Sequence, residues 1–310
     1  MIEVTRILCP VDFSDHASRA FACACAAGRW YRAPVTALHV VTMWPAVDVV
    51  PSLGVVTPTV TVADANRHQL QSLLDSFVAA HRPADVHVDT VVREAPDVHR
   101  EILAVAEETG ADLIVMGTHG RSGFEHLLLG SVTEKVLRKA TCPVMAIPAP
   151  VMGETARTAP HFRRILCPVD FSDGARAALA YALSLGEEED ARVTLLNVIE
   201  PAPDAADGVA PFETPGPARH AEMVAGRLER LRELVPPAAR ECCWVETTVE
   251  DGKASREIVR VATERGCDLI VMGAHGRGAL DLLVFGSNTH AVIRAGVAPV
   301  LTVPAAAKPA

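Results

Sequence analysis

Short, unbroken apolar runs alternate along this chain with longer stretches in which apolar residues recur every three or four positions. The short runs, bounded by Gly, Pro and Asp, predict buried strands; the longer stretches predict amphipathic helices. Ile7–Val11 is the first strand, and Ser14 with Asp15 offers an N-cap for a helix through about Tyr31. Val35–Val41 predicts a second strand. Residues 43–62 mix prolines with valines and predict an irregular excursion. A helix over Val62–Ala80 comes next, then a more alternating strand near a sheet edge over Val86–Val92. Pro96 opens a helix through about Glu108, and Gly110 stops it. Leu113–Met116 is a buried strand, followed by a Gly-rich loop, a helix over Ser131–Lys139 and a short strand over Pro143–Ile147.

The whole order then returns, with strands near residues 165–169, 193–199, 243–249, 269–272 and 299–303. Arg6–Asp15 reads RILCPVDFSD, and Arg164–Asp173 repeats it residue for residue. Asp112–Gly117 reads DLIVMG and recurs at Asp268–Gly273. His119-Gly120-Arg121 returns as His275-Gly276-Arg277, and Gly130-Ser131 as Gly286-Ser287. A period of about 157 residues is far too long for a solenoid and marks a duplicated domain. The expected division is residues 1–149, a linker over 150–162 and residues 163–310, the boundary falling near the Pro- and Ala-rich stretch Pro148–His161. Alternating strands and helices predict the α/β class, with doubly wound parallel sheets covered on both faces. Ligands in such sheets bind beyond the carboxyl ends of the strands, at the switch point between the first and fourth strands. Asp12 and the Gly-rich loop fall there.

Composition narrows the partners. The aromatic fraction is 4% against 49% hydrophobic overall, so Ala, Val and Leu must fill the core. The net charge of −9 argues against nucleic acid or an anionic membrane as the main partner. No apolar run approaches the roughly 18 residues of a membrane span, and the N-terminus lacks a signal-peptide pattern, so a cytoplasmic protein is expected. The eight cysteines form no C-x-x-C pair and read as small buried hydrophobes rather than metal ligands.

The chemistry concentrates in the loop. Gly117-Thr-His-Gly120 is followed, after nine intervening residues, by Gly130-Ser131, and Gly273-Ala-His-Gly276 likewise by Gly286-Ser287. Glycines allow close backbone approach, and the N–H groups opening the helix at Ser131 attract anions. A phosphate chain could lie across both glycine pairs. Blander readings stand beside this one. Asp12 could cap the following turn, and Ser131 with Glu134 makes an S-x-x-E capping box that needs no ligand. His39 reads as a satisfied core residue, and His99 and His126 as surface residues on helices. Arg121 and Arg277 could reach phosphate or pair with acids. In the second copy Asn288 replaces Val132 and His290 replaces Glu134, so the box is lost and a different helix start is expected there. The Walker pattern GxxxxGK[ST] is absent.

PVDFS on the first strand and the doubled Gly-x2-Gly-x9-Gly-Ser spacing resemble the ATP-binding subclass of the universal stress protein family. The resemblance covers residues 3–149 and 163–305. It implies two tandem five-stranded domains of strand order 3-2-1-4-5, an adenine-nucleotide alpha-hydrolase-like fold. It implies ATP (or ADP or AMP) with Mg2+ as ligand and a stress-associated regulatory role with at most slow hydrolysis. By resemblance, Asp12 and Asp170 meet the ribose or adenine, flanked by Pro10, Val11, Pro168 and Val169. Val40 and Val198 meet adenine through backbone groups. Met116, Gly117, His119, Gly120, Arg121, Gly130, Ser131, Val132 and Thr133 surround the phosphates. Met272, Gly273, His275, Gly276, Arg277, Gly286, Ser287, Asn288 and Thr289 do so in the second copy. Relatives dimerise through the last strand, which implies an intramolecular pseudo-dimer here and leaves a homodimer of chains open. Two other functions compete: a scaffold with empty sites, using loops 43–62 and 200–217 as partner surfaces or lids, and an ATP-using enzyme of the related α/β group. CPVDFSD stands where the enzymes' SGGxDS- or HIGH-type motifs would be, which disfavours the last.

Overall fold

The computed structural model describes residues 2–42, 47–49, 56–58, 64–119, 129–149, 161–200, 216–275 and 285–305. Contacts divide the chain into two compact units, one built on residues 4–140 and the other on residues 141–148 with 161–310.

In the first unit, β1 (Ile7–Pro10) leads into α1 (Asp15–Trp30) and β2 (Val35–Thr42). A short antiparallel pair, β3 (Val47–Val49) and β4 (Val56–Pro58), follows where an irregular excursion was expected. Val47, Val49, Val56 and Thr57 supply β-propensity that the prolines masked in the sequence. Next come α2 (Asp64–His81), β5 (Val88–Ala95), α3 (Val98–Thr109), β6 (Leu113–Gly117) and α4 (Ser131–Lys139). The parallel order is β5-β2-β1-β6, with β5 at the edge as its alternation suggested. Right-handed crossovers carry α1 and α2 over one face, while the return through α3 and α4 covers the other. The order in which strands are added therefore reverses between β1 and β6, and a crevice opens beyond their carboxyl ends.

Small residues let α1 lie close on the sheet. Ala17, Ala20, Phe21, Cys23, Ala24 and Ala27 are all buried. At the opposite end of the sheet from the crevice, Asp112 clasps the start of β1. It accepts from the Thr5 N–H at 2.7 Å, the Thr5 hydroxyl at 2.8 Å and the Arg6 N–H at 3.0 Å. The Asp of the repeated DLIVMG is thus structural. Gly110 ends α3 at φ 65°, a left-handed cap.

The second unit holds β7 (Val144–Ile147), β8 (Arg164–Pro168), α5 (Asp173–Glu188), β9 (Arg192–Ile199) and α6 (Pro217–Glu233). It continues with α7 (Pro237–Cys242), β10 (Trp244–Asp251), α8 (Ala254–Glu264), β11 (Leu269–Gly273), α9 (Ser287–Ala295) and β12 (Val300–Val303). The order β10-β9-β8-β11-β12 is the 3-2-1-4-5 arrangement. β7 adds to it antiparallel on β12, with Leu301 opposite Met145. Asp268 repeats the clasp, accepting from the Arg163 and Arg164 N–H groups at 3.0 and 2.9 Å. Burial raises its carboxyl above the usual range despite these bonds.

The cysteines behave largely as buried hydrophobes. Cys9, Cys23, Cys25, Cys167, Cys243 and Cys267 are buried, but Cys142 is only half-buried because it sits in the turn before β7. The Cys242 side chain lies outside the described residues. Burial pushes the Cys23, Cys25 and Cys167 thiols up to about 12. His99 also departs from expectation. It is buried at 4% exposure rather than on the surface, because α3 turns that face toward α4. Its Nδ1 pairs with Asp97, and its Nε2 lies 3.5 Å from Lys139 Nζ.

Candidate functional site

The site grows out of two chain reversals. After β1, Asp12 folds back so that its Oδ1 accepts from the Ser14 N–H (3.1 Å) and hydroxyl (2.6 Å). Ser14 in turn caps α1 by accepting from the Ala17 N–H at 3.2 Å. Phe13 between them is held at φ 62°, a costly conformation for an aromatic residue. Asp12 therefore does organise the turn, and its carboxylate also lines a cavity. His39 behaves as expected of a satisfied residue: its Nδ1 lies 2.7 Å from the Val11 carbonyl.

The second reversal follows β6. Gly130 occupies the N-cap of α4 with φ −59° and ψ 137°, and no side chain caps the helix. Its N–H donates to the Thr118 carbonyl at 2.8 Å, which docks the helix start beside the strand end. Thr133 donates its hydroxyl to the Gly117 carbonyl at 2.8 Å. The capping box read from S-x-x-E does not form. Gly130 takes the cap position, which shifts Ser131 into the helix and leaves Glu134 to pair with Arg138 at 2.8 Å. The first turn consequently presents the backbone N–H groups of Ser131, Val132 and Thr133 without a side-chain acceptor. Such a terminus carries partial positive charge and favours an anion.

Between these reversals lies a cavity of about 170 Å³. Pro10, Val11, Asp12, Val40, Met116, Gly117, His119, Gly130, Ser131, Val132 and Thr133 all line it. Gly120 and Arg121 lie outside the described residues, as does His126. Four lining residues had not been singled out: Ala17, Leu38, Val98 and Ile102. Val98 and Ile102 stand four apart at the start of α3, and that spacing on a helix following a strand's carboxyl end was the available signal. Together with Leu38, Val40 and Met116 they make one apolar wall, suited to a flat aromatic base.

The second unit repeats the construction. Asp170 accepts from Ser172 at 3.0 and 2.6 Å, Ser172 caps α5, and Phe171 sits at φ 67°. Gly286 caps α9 without a side-chain bond, its N–H donates to the Ala274 carbonyl at 2.9 Å, and Thr289 donates to the Gly273 carbonyl at 3.0 Å. The helix start matches that of α4, contrary to the expectation drawn from His290, because Glu134 never took part in capping. The cavity here is about 100 Å³ and is lined by Pro168, Val169, Asp170, Val198, Met272, Gly273, His275, Asn288 and Thr289. Gly286 and Ser287 are not among its lining, and Gly276 and Arg277 lie outside the described residues. Ala175, Leu196, Asn197, Ala254 and Ile258 complete the wall. One further difference concerns the histidines. Thr118 Oγ1 lies 3.0 Å from His119 Nδ1, whereas Ala274 offers no hydroxyl, and both ring nitrogens of His275 are buried without a hydrogen bond.

Among the described residues no cluster of three or more His, Cys, Asp or Glu could hold a metal ion, and no helix is long and apolar enough to cross a membrane.

Comparison with known proteins agrees with this geometry. A universal stress protein of Methanocaldococcus jannaschii is 33% identical over 145 residues, covering 47% of this chain and 82% of that one. Another from Mycolicibacterium smegmatis is 25% identical over 309 residues, covering 96% of each. The crystal structure of a universal stress protein from Archaeoglobus fulgidus aligns over 97% of both chains with a TM-score of 0.67 and 22% identity, a likeness of fold. The model of the universal stress protein family matches residues 3–148 and again 161–304, nearly the whole length, and the chain belongs to that family as a tandem of two such domains.

Proposed function

We propose that this chain is a regulatory holder of adenine nucleotide, with one site in each repeat and ATP with Mg2+ as the ligand. One observation carries the reading. In both repeats an apolar wall, a carboxylate and an uncapped helix start converge on one cavity at the sheet's switch point. These are the three chemistries a nucleotide needs. The base lies against Val40, Ile102 and Met116, and the ribose hydroxyls donate to Asp12. The phosphates take the N–H groups of Ser131, Val132 and Thr133. In the second repeat Val198, Asp170 and the start of α9 take the same parts. The described walls enclose less than the roughly 300–1,000 Å³ of a pocket for a drug-sized ligand, so they account for part of a nucleotide. A divalent ion would be held chiefly by the phosphates, as Mg2+ commonly is.

The lining supports holding over turnover. Each cavity's described wall carries one carboxylate and one imidazole, and the carboxylate's Oδ1 is already engaged by Ser14 or Ser172. The first site binds more tightly, in line with its larger cavity and with Val132 where the second has Asn288. The antiparallel pairing of β7 with β12 supports an arrangement in which the two repeats' fifth strands meet as a pseudo-dimer within one chain. A cytoplasmic setting suits the buried free thiols.

Calorimetry with ATP and Mg2+, with ADP measured in the same sample over hours, tests the proposal. Two nucleotides per chain and little ADP are expected. One per chain identifies the second repeat as degenerate. No heat with ATP, ADP or AMP overturns the reading in favour of a scaffold.

A further inference from the structure

The two repeats differ at one buried position beside the cavity. At the carboxyl end of β9, Asn197 is 2% exposed, and its Nδ2 donates to the Val169 carbonyl at 2.6 Å. That bond sets the amide's orientation, because an oxygen placed there would face another oxygen. Oδ1 must then point away from that carbonyl. It is buried with no hydrogen-bond partner, and Asn197 lines the second cavity. Buried acceptors are nearly always satisfied, so one left open in a cavity wall calls for a donor from outside the protein.

The first repeat carries His39 at this position. Its Nδ1 contacts the matching carbonyl of Val11 at 2.7 Å, while its ring packs against Phe13 with centroids 4.4 Å apart. His39 is not part of the first cavity's wall. Both repeats thus anchor the same carbonyl, but the second also leaves a spare acceptor on a residue of its cavity wall. Asn288 in place of Val132 makes the second wall more polar still.

We infer that Asn197 is a specificity residue of the second cleft, its Oδ1 accepting a hydrogen bond from an N–H or O–H of the bound nucleoside; this rests on the reading of that cleft as a nucleotide site. The donor is either the 6-amino group of the base or a ribose hydroxyl, and the second cleft discriminates against nucleotides lacking it.

The test uses the full chain carrying Ser131→Glu to weaken the first site, with the two sites fitted separately. ATP, purine riboside 5′-triphosphate (which lacks the 6-amino group), 2′-deoxy-ATP and 3′-deoxy-ATP are titrated by calorimetry. The same series is run after adding Asn197→His, which keeps the carbonyl anchor in the way His39 does. For one analogue the penalty relative to ATP should be about tenfold larger in the parent than with Asn197→His, since any ribose bond to Asp170 is common to both proteins. The analogue whose penalty shrinks names the donor. Penalties that Asn197→His leaves unchanged for all three analogues overturn the inference while leaving the nucleotide site in place. Absence of ATP binding to the parent overturns the nucleotide reading and this inference with it.

Discussion

Ser131→Glu separates a phosphate site from an ordinary helix start. Ser131 is exposed and is the first residue of α4, one position after the Gly130 cap. A carboxylate in a helix's first turn interacts favourably with the terminus, by about 0.3–1 kcal/mol. The same carboxylate would stand about 5 Å from the proposed phosphates, where two unit charges repel by about 0.8 kcal/mol in bulk water and about 3.3 kcal/mol at an effective dielectric of about 20. Exposure and salt favour the lower end, while the remaining negative charge of Mg-ATP multiplies it, so a loss of about 1–3 kcal/mol is expected. That is a fall in affinity of about five- to 150-fold at the first site. The thermal midpoint of the free protein should stay level or rise by up to about 2 °C. Calorimetry and thermal unfolding on one preparation give both numbers. A variant that binds two nucleotides with wild-type affinity would refute the placement of phosphate at α4, as would one whose binding falls only because the midpoint falls.

Alkaline pH tests the buried thiols. Burial holds Cys23 and Cys167 near about 12, whereas an unfolded thiol ionises near about 8.5. A raised folded value means that stability is fully present below about pH 8.5 and is lost as pH climbs toward about 12. Urea midpoints should therefore fall steadily from pH 8.5 to 10, and a flat profile would contradict the burial. In the same protein at pH 8, a thiol reagent should label Cys142 well before Cys23, Cys25 or Cys167; simultaneous labelling would refute the difference in burial. Asp112→Ala removes the acceptor for two backbone N–H groups and a hydroxyl, and should cost about 1–3 kcal/mol in urea unfolding without changing nucleotide stoichiometry. Loss of binding at constant stability would place Asp112 in the site instead.

How much of this was legible in the chain depended on range. Local signals gave true elements: Ser14 caps α1, Gly110 adopts the left-handed cap, and α4 spans Ser131–Lys139 as its periodicity required. The duplication pointed to the same strand ends twice over, and many of the residues recurring there line a cavity in each unit. What failed was competition between neighbours. Ser131 and Glu134 carry a valid capping pattern, but Gly130 docks on the Thr118 carbonyl and displaces the register by one residue, a tertiary contact no local pattern encodes. His99 read as a surface residue because its burial comes from α4 packing on α3, elements joined only through β6 and the loop after it. Val98 and Ile102 carried no signal of their own in the sequence, and only the crossover from β5 to β6 brings them to the cavity wall.

The glycine at the head of the loop illustrates why a binding motif need not be made of binding residues. A Cβ built on Gly273 would lie 2.8 Å from the Gly174 carbonyl carbon and 3.0 Å from its oxygen, backbone atoms at the start of α5. In the first repeat the matching Cβ on Gly117 would meet the His119 carbonyl at 3.2 Å and His16 Cβ at 3.5 Å. The close approach of the first helix to the fourth strand thus requires glycine at Gly273 whether or not a nucleotide binds, while at Gly117 the tightest contact is the loop's own His119 carbonyl. If so, Gly273→Ala should act on stability first. Backbone on one side and a β-strand on the other leave little to yield, and overpacking of this kind costs about 1–3 kcal/mol. Gly117→Ala, with 3.2 Å as its nearest approach, should cost less. Below the melting transition, second-site affinity in Gly273→Ala should stay within a few-fold of wild type. A variant as stable as wild type that no longer binds at the second site would show that Gly273 serves the ligand directly, and that the phosphates lie against the strand end rather than over α9.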